Sequence, residues 1–266
     1  MIRQPAVAGK FYTDDPDQLR EELDSMIAPG EAARVIGIVA PHAGYVYSGK
    51  VAGQVYGAVR VPDAVLVLGP NHTGVGAPAA LAPPGEWLTP LGSVPVNARL
   101  SELILKSDPM VLEDVSAHRF EHSLEVQVPF LQRRNPRVSI AALCLSLADF
   151  ASIERLGQGI ARAIREYGGE VLIVASSDMN HFESARVAKE KDDLALAEIA
   201  AMNPERLFKV CRDRHITMCG VVPAAVMLVA AKELGATSSK LVHYTTSGEV
   251  NGDLDRVVAY AAVTVS

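Results

Sequence analysis

The chain of 266 residues contains few aromatic residues, few cysteines and no excess of basic residues. Its three cysteines, Cys144, Cys211 and Cys219, form no Cys-x-x-Cys pair and are odd in number, which argues against a disulfide framework. The net charge is -6 and charges of both signs are interspersed, so no basic stripe is present to follow a phosphate backbone. We therefore expect no nucleic-acid partner, and we expect the thiols to fill the core or to bind a metal.

Long hydrophobic runs are also missing. Residues 1–9 lack the apolar segment of a signal peptide, and no later apolar run is long enough to span a bilayer. These absences predict a soluble, cytoplasmic protein without membrane contact. Hydrophobic residues nevertheless make up 49% of the chain, which is enough for a substantial core. The length suits one large α/β domain, and we predict a single domain covering residues 1–266.

Four runs of apolar, mostly β-branched residues are each followed within a few positions by a residue that can bind a metal. The runs cover residues 36–40, 65–68, 171–174 and 241–242, and the residues that follow them are His42, His72, Asp178 with His181, and His243. Such runs, bounded by Gly, Pro or Ser, are typical of strands buried on both faces of a largely parallel sheet. Because ligands bind beyond the carboxyl ends of such strands, the pattern predicts a functional site at one edge of the sheet.

Helical periods alternate with these strands, which indicates βαβ units. We predict a single three-layer α/β domain with a central, mostly parallel or mixed sheet flanked by helices. Ser48 is expected to cap the helix that returns the chain to the second strand, so that His42 and His72 emerge at the same end of nearby strands. Residues 74–96, which include the only tryptophan, Trp87, are expected to form a strand and a long loop. Further strands are predicted at 138–145 and 257–265, and helices at 97–106, 123–132, 152–167, 185–201, 204–211 and 223–234.

His42 and His72 are the first candidates for a functional role. Each lies near a glycine, in Pro-His-Ala-Gly and Pro-Asn-His-Thr-Gly, where the backbone can turn tightly and expose the imidazole. A single histidine is usually no more than a hydrogen-bonding residue. Two histidines at equivalent strand ends favour function, because neutral imidazole is the commonest metal ligand. With a third donor they would suit iron, copper or zinc.

Three further residues are candidates for the same site. Asp178 and His181 follow a strand and can act as ligands, as general acids or bases, or as partners that orient a ligand histidine. Alternatively, Asp178 caps the helix that follows. Cys219 precedes an apolar helix whose dipole favours a thiolate, so it is a candidate nucleophile or soft metal ligand. The alternative for Cys219 is the buried, inert state expected for Cys144 and Cys211.

The segment His118-Arg119-Phe120-Glu121-His122 matches the H-x-x-E-H pattern of inverted zinc peptidases. On a helix the two imidazoles would share one face with Glu121. The residues that follow indicate instead that a helix starts only after His122, and so short a pattern arises easily by chance. We therefore favour His122 as a residue that lines the pocket from a turn. His215 and His243 have no distinguishing context.

Six segments, distributed over nearly the whole chain, cover residues 3–12, 41–45, 69–72, 121–127, 176–178 with His181, and 219–220. Together these segments resemble the Memo family, whose prokaryotic members are often called the B protein of the AmmeMemoRadiSam system. The resemblance implies the fold of class III extradiol ring-cleaving dioxygenases, in which two histidines and a carboxylate bind non-heme iron.

The same resemblance implies a set of site residues. His42 and His72 would be metal ligands, and Cys219 would occupy the position of the third ligand. His122, Asp178 and His181 would surround the metal as catalytic acid/base groups or as partners of the ligands. Because a thiolate is softer than a carboxylate, iron or copper is the expected cofactor, zinc is an alternative, and ordinary ring cleavage is not expected.

Three hypotheses of function stay open. The first is a metal-dependent oxidoreductase related to the dioxygenases. The second is a non-catalytic protein that binds a peptide or small molecule in a vestigial cleft, and the third is a hydrolase that uses zinc or Cys219. The resemblance also implies a pathway link to a radical-SAM protein. The sequence determines neither the substrate nor the oligomeric state.

Overall fold

A mixed sheet of nine strands forms the middle layer of the protein, and a second sheet contains three short strands. The computed structural model describes all residues from Met1 to Ser266. The strands are β1 (Ile2–Arg3), β2 (Gly37–Ala40), β3 (Ala64–Pro70), β4 (Ala79–Leu81), β5 (Glu86–Thr89), β6 (Gly92–Pro95), β7 (Val111–Glu113), β8 (Ser139–Leu145), β9 (Val171–Ser176), β10 (His181–Glu183), β11 (Ser239–Thr246) and β12 (Val257–Val265).

Nine α-helices accompany these strands. They are α1 (Pro16–Met26), α2 (Tyr45–Ala58), α3 (Ala98–Ser107), α4 (Val128–Arg134), α5 (Phe150–Tyr167), α6 (Ala185–Ala200), α7 (Pro204–Asp213), α8 (Val221–Glu233) and α9 (Gly248–Asn251). Apolar residues of α1, α2 and α4 cover one face of the large sheet, and those of α3, α5, α6, α7 and α8 cover the other. This arrangement confirms the predicted three-layer α/β architecture. None of the helices combines the length and the apolar composition needed to cross a membrane.

The central strands of the large sheet are parallel, and their carboxyl ends therefore share one edge. The strand order is β10-β12-β2-β9-β3-β8-β4-β7, with β11 paired to β12. β9 pairs in parallel with both β2 and β3, and β3 pairs in parallel with β8. β12 and β4 flank this group in antiparallel orientation, so the sheet is mixed. Ala40 lies opposite Ser176, which places the segments that follow β2 and β9 side by side.

Side chains of the central strands alternate between two cores, which explains their continuous apolar sequences. Ile38 and Val65 point towards the core under α1 and α2, whereas Val39 and Leu66 point towards the core under α5 and α8. All four are fully buried. A strand with both faces covered needs apolar residues at every position, because neither face meets water.

Most of the predicted elements are confirmed, including the strands β8 and β12 and the helices α5 to α8. The helix expected from Asn97 is α3, and the Asn97 side chain caps it by accepting a hydrogen bond from the backbone N–H of Leu100 at 3.0 Å. The helix expected at 123–132 is divided into a 3₁₀ turn, Glu125–Gln127, and α4.

The predicted capping role of Ser48 is wrong. The helix α2 begins one turn earlier, at Tyr45, with Gly44 as its N-cap. The backbone N–H of Tyr45 donates to the carbonyl of Phe11 at 2.7 Å, so contact with the amino-terminal segment replaces a side-chain cap. Ser48 lies inside the helix, where its hydroxyl donates to the carbonyl of Ala43.

Two further local predictions are wrong because strand pairing decides the conformation. Residues 86–95 form the hairpin β5–β6 instead of a long loop, and Trp87 is buried in it under the guanidinium of Arg3. The strand predicted before His243 continues to Thr246, because β11 pairs with β12 along its whole length. His243 therefore lies exposed within a strand and not beyond a strand end.

Candidate metal centre

Three of the candidate residues, His42, His72 and Asp178, follow the carboxyl ends of β2, β3 and β9 as expected. His42 and His72 form a compact cluster with His122, called here the imidazole group. One ring nitrogen from each residue lies within 4.8 Å of the others. Ligand atoms of a tetrahedral site, at about 2.1 Å from the ion, are about 3.4 Å apart. Small side-chain movements would therefore allow all three rings to bind one ion.

His42 is the most deeply buried member of the imidazole group, with only 2% of its surface exposed. Its backbone N–H donates to Oδ1 of Asp178 at 2.7 Å, its ring Nδ1 lies 2.9 Å from Oγ of Ser176, and its Nε2 lies 3.2 Å from Sγ of Cys219. Burial, followed by the charge of the neighbouring imidazoles, lowers the pKa of His42 well below its ordinary value. The ring is therefore neutral and keeps one lone pair for a metal.

His72 is oriented by the buried carboxylate of Glu121. The backbone N–H of His72 donates to Oε2 at 2.6 Å, its ring Nδ1 lies 2.9 Å from Oε1, and the backbone N–H of Ser123 donates to Oε1 at 2.9 Å. Burial opposes ionisation of Glu121, but these hydrogen bonds and the charge of His72 outweigh it and lower the pKa to about 2. An ionised carboxylate only accepts, so Nδ1 of His72 carries a proton and Nε2 is the nitrogen that a metal would bind. Histidines that bind metals commonly have such a carboxylate partner.

His122 comes from an irregular segment, residues 114–124, and not from a strand end. Its ring stacks on that of His72, with centroids 4.7 Å apart and 18° between the planes, and it also packs against Phe11. Its Nδ1 is 3.5 Å from Oε1 of Glu121, which is long for a hydrogen bond. The position lines the site as expected. No periodicity in the sequence marks His122 as a member of the imidazole group, because the segment that carries it has no regular structure.

Cys219, the predicted third ligand, lies directly beside His42. Its Sγ also accepts a hydrogen bond from the backbone N–H of Asp178 at 3.3 Å. The approach of Gly220 to β9 sets this position, since a Cβ on Gly220 would lie 2.3 Å from the carbonyl oxygen of Ser176. Burial raises the pKa of Cys219, so the start of α8 does not by itself produce a thiolate. This protonated state is unfavourable for a nucleophile. The role of Cys219 as a metal ligand stays a prediction.

Asp178 and His181 occupy different positions on the loop after β9. Oδ1 of Asp178 accepts from two successive backbone N–H groups, of His42 and the residue that follows, and Ser184 rather than Asp178 caps α6. Burial raises the pKa of Asp178 to about 6. Nδ1 of His181 lies 2.9 Å from the carbonyl oxygen of Thr217, so Nδ1 is the donor and Nε2 keeps a lone pair. Burial lowers the pKa of His181. The acid/base roles of both residues stay predictions.

His118 lies outside the imidazole group although it belongs to the H-x-x-E-H pattern. It is fully buried, its Nε2 lies 3.0 Å from the carbonyl oxygen of Ala80, and its ring packs against Trp87. The segment that carries it is not helical, so the two histidines of the pattern do not share the helix face of a zinc peptidase. His215 and His243 are exposed.

The sequence analysis assigned no role to three buried polar residues that support the imidazole group: Glu121, Ser176 and Gln127. Each is fully buried. Nε2 of Gln127 donates to Oγ of Ser176 at 2.8 Å, and Ser176 in turn contacts His42. One signal was available, because a polar residue within an apolar, buried segment needs a hydrogen-bonding partner. The identity of the partner, however, depends on contacts between segments far apart in the chain.

Comparisons with known proteins agree with this architecture. The family model described as Memo-like protein matches residues 3–264. A MEMO1 family protein of Aquifex aeolicus is 41% identical over 97% of this chain and 97% of its own length. MEMO1 family proteins of Pyrobaculum arsenaticum and Methanosarcina barkeri are each 40% identical, over 98% and 99% of this chain and 98% and 100% of their own lengths.

A solved structure supports the fold alone. The crystal structure of an uncharacterized protein from Escherichia coli K12 matches with a TM-score of 0.55 at 14% sequence identity. The match covers 88% of this chain and 100% of that chain.

Proposed function

This chain belongs to the Memo family, and from that premise we propose that it is a redox protein with a single metal ion bound by His42, His72 and His122. The observation that carries the proposal is the imidazole group, in which three ring nitrogens lie within 4.8 Å of one another. Two of the rings have their opposite nitrogen next to a buried partner, as metal-binding histidines commonly do. Imidazole ligands suit iron, copper and zinc. Iron or copper would supply the electron-transfer or oxygen chemistry of a redox protein.

Cys219 is proposed as a further ligand beside His42. A metal favours loss of the thiol proton, because thiolate is the form that binds. A thiolate next to imidazoles favours copper over harder ions. The imidazole group and the set His42, His72 and Cys219 share two members and differ in the third, so variants of His122 and Cys219 separate them.

Asp178 and His181 are proposed to position a ligand histidine or to act on the bound substrate. Asp178 holds the backbone turn that presents His42. Nδ1 of His181 donates to the carbonyl of Thr217 and its Nε2 keeps a lone pair, so His181 is proposed to accept a proton at Nε2. The substrate is proposed to be a small molecule or peptide, in a pathway shared with a radical-SAM protein.

The direct test is metal analysis of protein purified without added metal. We expect about one equivalent of iron or copper per chain in the natural protein, and little in His42→Ala and His72→Ala. His243→Ala is the matched control, because it removes an exposed imidazole that is not a member of the imidazole group.

The third ligand is identified by comparing His122→Ala with Cys219→Ser, each checked for folding by circular dichroism. Loss of metal in the first variant identifies the imidazole group as the ligand set, and loss only in the second identifies the thiol. Unchanged metal content in His42→Ala and His72→Ala would refute the proposed site.

The second candidate function is that of a binding protein without catalytic activity, and the openness of the imidazole group to solvent favours it. The side chains of His72 and His122 are 34% and 24% exposed. Such a surface admits a peptide as readily as a small molecule. A candidate peptide ligand should bind equally well after chelation of the metal if this alternative is correct, whereas the metal-dependent proposal requires binding to weaken.

A further inference from the structure

Ser176 lies at the centre of a buried hydrogen-bond network next to His42. Its Oγ has three partners: Nδ1 of His42 at 2.9 Å, Nε2 of Gln127 at 2.8 Å and the carbonyl oxygen of Ser123 at 2.6 Å. Ser176, Gln127 and Ser123 are all fully buried. Water therefore does not compete for these contacts, and the donors and acceptors must match one another.

The direction of each hydrogen bond follows from the chemistry of the groups. A serine hydroxyl has one proton to donate and two lone pairs. The carbonyl of Ser123 only accepts, so the Ser176 proton is directed there. The lone pairs of Ser176 remain for its other two partners, and both of these must donate.

The orientation of the Gln127 amide is determined independently. Its Nε2 lies 2.9 Å from the carbonyl oxygen of Pro41, which only accepts, and its Oε1 accepts from the hydroxyl of Tyr56 at 2.9 Å. The amide nitrogen therefore faces Ser176 and occupies one lone pair. The second lone pair of Ser176 requires a proton on Nδ1 of His42.

We infer that Ser176, held in place by Gln127 and Ser123, is a positioning residue that keeps His42 as the Nδ1–H tautomer and so presents its Nε2 lone pair to the metal site. The contact on the other side of the ring agrees with this assignment, because Nε2 lies 3.2 Å from the Cys219 thiol, which can donate to a lone pair. Nδ1 of His72 likewise donates, in this case to the carboxylate of Glu121. The two histidines thus have different supports, a neutral hydroxyl and a charged carboxylate.

The consequence for metal binding rests on the proposed function, whereas the tautomer does not. The first measurement therefore uses the metal-free protein, labelled with ¹⁵N in histidine, at one pH at which His42 is neutral. Long-range ¹⁵N–¹H correlation spectra distinguish a protonated from an unprotonated ring nitrogen. We expect His42 to show a protonated Nδ1 and an unprotonated Nε2 in the natural protein, and an increased Nε2–H population in Ser176→Ala.

The matched control is Ser101→Ala, which removes a buried hydroxyl without a hydrogen-bond partner on the far side of the sheet. It should leave the His42 signals unchanged. A protonated Nε2 in the natural protein would overturn the inference, and so would a His42 spectrum that is the same in Ser176→Ala.

The second measurement is zinc affinity, determined by competition with a chelator. We expect Ser176→Ala to bind zinc about 10- to 100-fold more weakly, the range found when a partner of a ligand histidine is removed. Ser176→Thr retains a hydroxyl and should restore most of the affinity, which a merely structural defect would not predict. Equal zinc affinity in the natural protein and in Ser176→Ala overturns the role in metal binding. If the natural protein binds no metal, the proposed function fails, and the tautomer of His42 still decides the inference.

Discussion

At the scale of single residues, hydrogen-bond partners distinguish the histidines of this protein from one another. His42, His72 and His181 each have an acceptor next to Nδ1, so Nδ1 carries a proton and Nε2 is left for another partner. His118 has the opposite arrangement: its Nε2 donates to the carbonyl of Ala80, and its buried Nδ1 has no partner. The first arrangement suits metal binding or proton transfer, and the second suits a neutral residue of the core.

The neutral state of His118 predicts a dependence of stability on pH. Burial lowers its pKa to about 4, from an ordinary value of 6.5. Folding therefore favours the neutral ring, and this contribution is complete above pH 6.5 and is lost as the pH falls towards 4. The change in the pKa from 6.5 to about 4 corresponds to about 3 kcal/mol.

This contribution is measured by urea denaturation of the natural protein and of His118→Gln, at about pH 7 and about pH 4.5. The natural protein should lose more free energy of unfolding between the two values than the variant does. All other groups titrate in both proteins. The difference between the two losses of free energy therefore reports on His118 alone. An equal loss in the two proteins would show that this histidine is not held neutral by the fold.

At the scale of elements, the contact between the start of α8 and the end of β9 determines where Cys219 lies. Gly220 is the N-cap of α8, and its backbone N–H donates to Oγ of Ser177 at 3.0 Å. Any residue can adopt its φ of -94°. Glycine is needed here because there is no room for a Cβ between α8 and β9. A side chain here would separate α8 from β9 and move Cys219 away from His42.

We therefore predict that Gly220→Ala destabilises the protein and weakens metal binding together. A Cβ at this position would lie 2.4 Å from Cβ of Ser177 and closer still to the backbone of β9. Such overpacking typically costs about 1–3 kcal/mol. Thermal denaturation and zinc titration measure the two effects. Gly30→Ala is the control, since its Cβ would have no neighbour within 4 Å; similar behaviour of the two variants would contradict the proposed contact.

At the scale of the whole molecule, the amino-terminal segment holds the irregular segment that carries Glu121 and His122. The guanidinium of Arg3 donates to the carbonyls of His118 and Glu121 at 2.9 and 2.7 Å, and to the carboxylate of Glu125 at 2.7 Å. Glu125 also accepts from the hydroxyl of Tyr12 and from the backbone N–H groups of residues 6 and 7. Residues at the start of the chain thus stabilise one wall of the site.

Replacement of Arg3 by methionine should therefore affect both stability and metal binding. Both charges of the Arg3–Glu125 pair are almost fully buried, and removal of one partner of such a pair costs about 3–5 kcal/mol. Urea denaturation should show this loss, and zinc affinity should fall because the backbone around Glu121 is released.

The comparison variant is Lys106→Met, which breaks an exposed ion pair on α3 and should change neither property measurably. Arg3→Lys should give an intermediate result, because lysine keeps the charge but cannot contact three acceptors in one plane. Full metal affinity in a folded Arg3→Met protein would show that the amino-terminal segment does not support the site.

The sequence by itself determined the α/β architecture, the order of the main strands and helices, and the position of His42, His72 and Asp178 beyond strand ends. These features are local, because a strand buried on both faces imposes a continuous apolar run and a parallel sheet places its carboxyl ends together. The family resemblance was likewise available from short segments along the chain and is confirmed.

Only the tertiary structure decided which side chains meet. His122 and Glu121 join the site through an irregular segment held by Arg3, and His42 acquires its partner from Ser176 on another strand. These contacts link residues more than a hundred positions apart in the chain, and no local period encodes them. The hairpin at Trp87 and the extension of β11 past His243 escaped prediction for a related reason, since each depends on pairing with another strand.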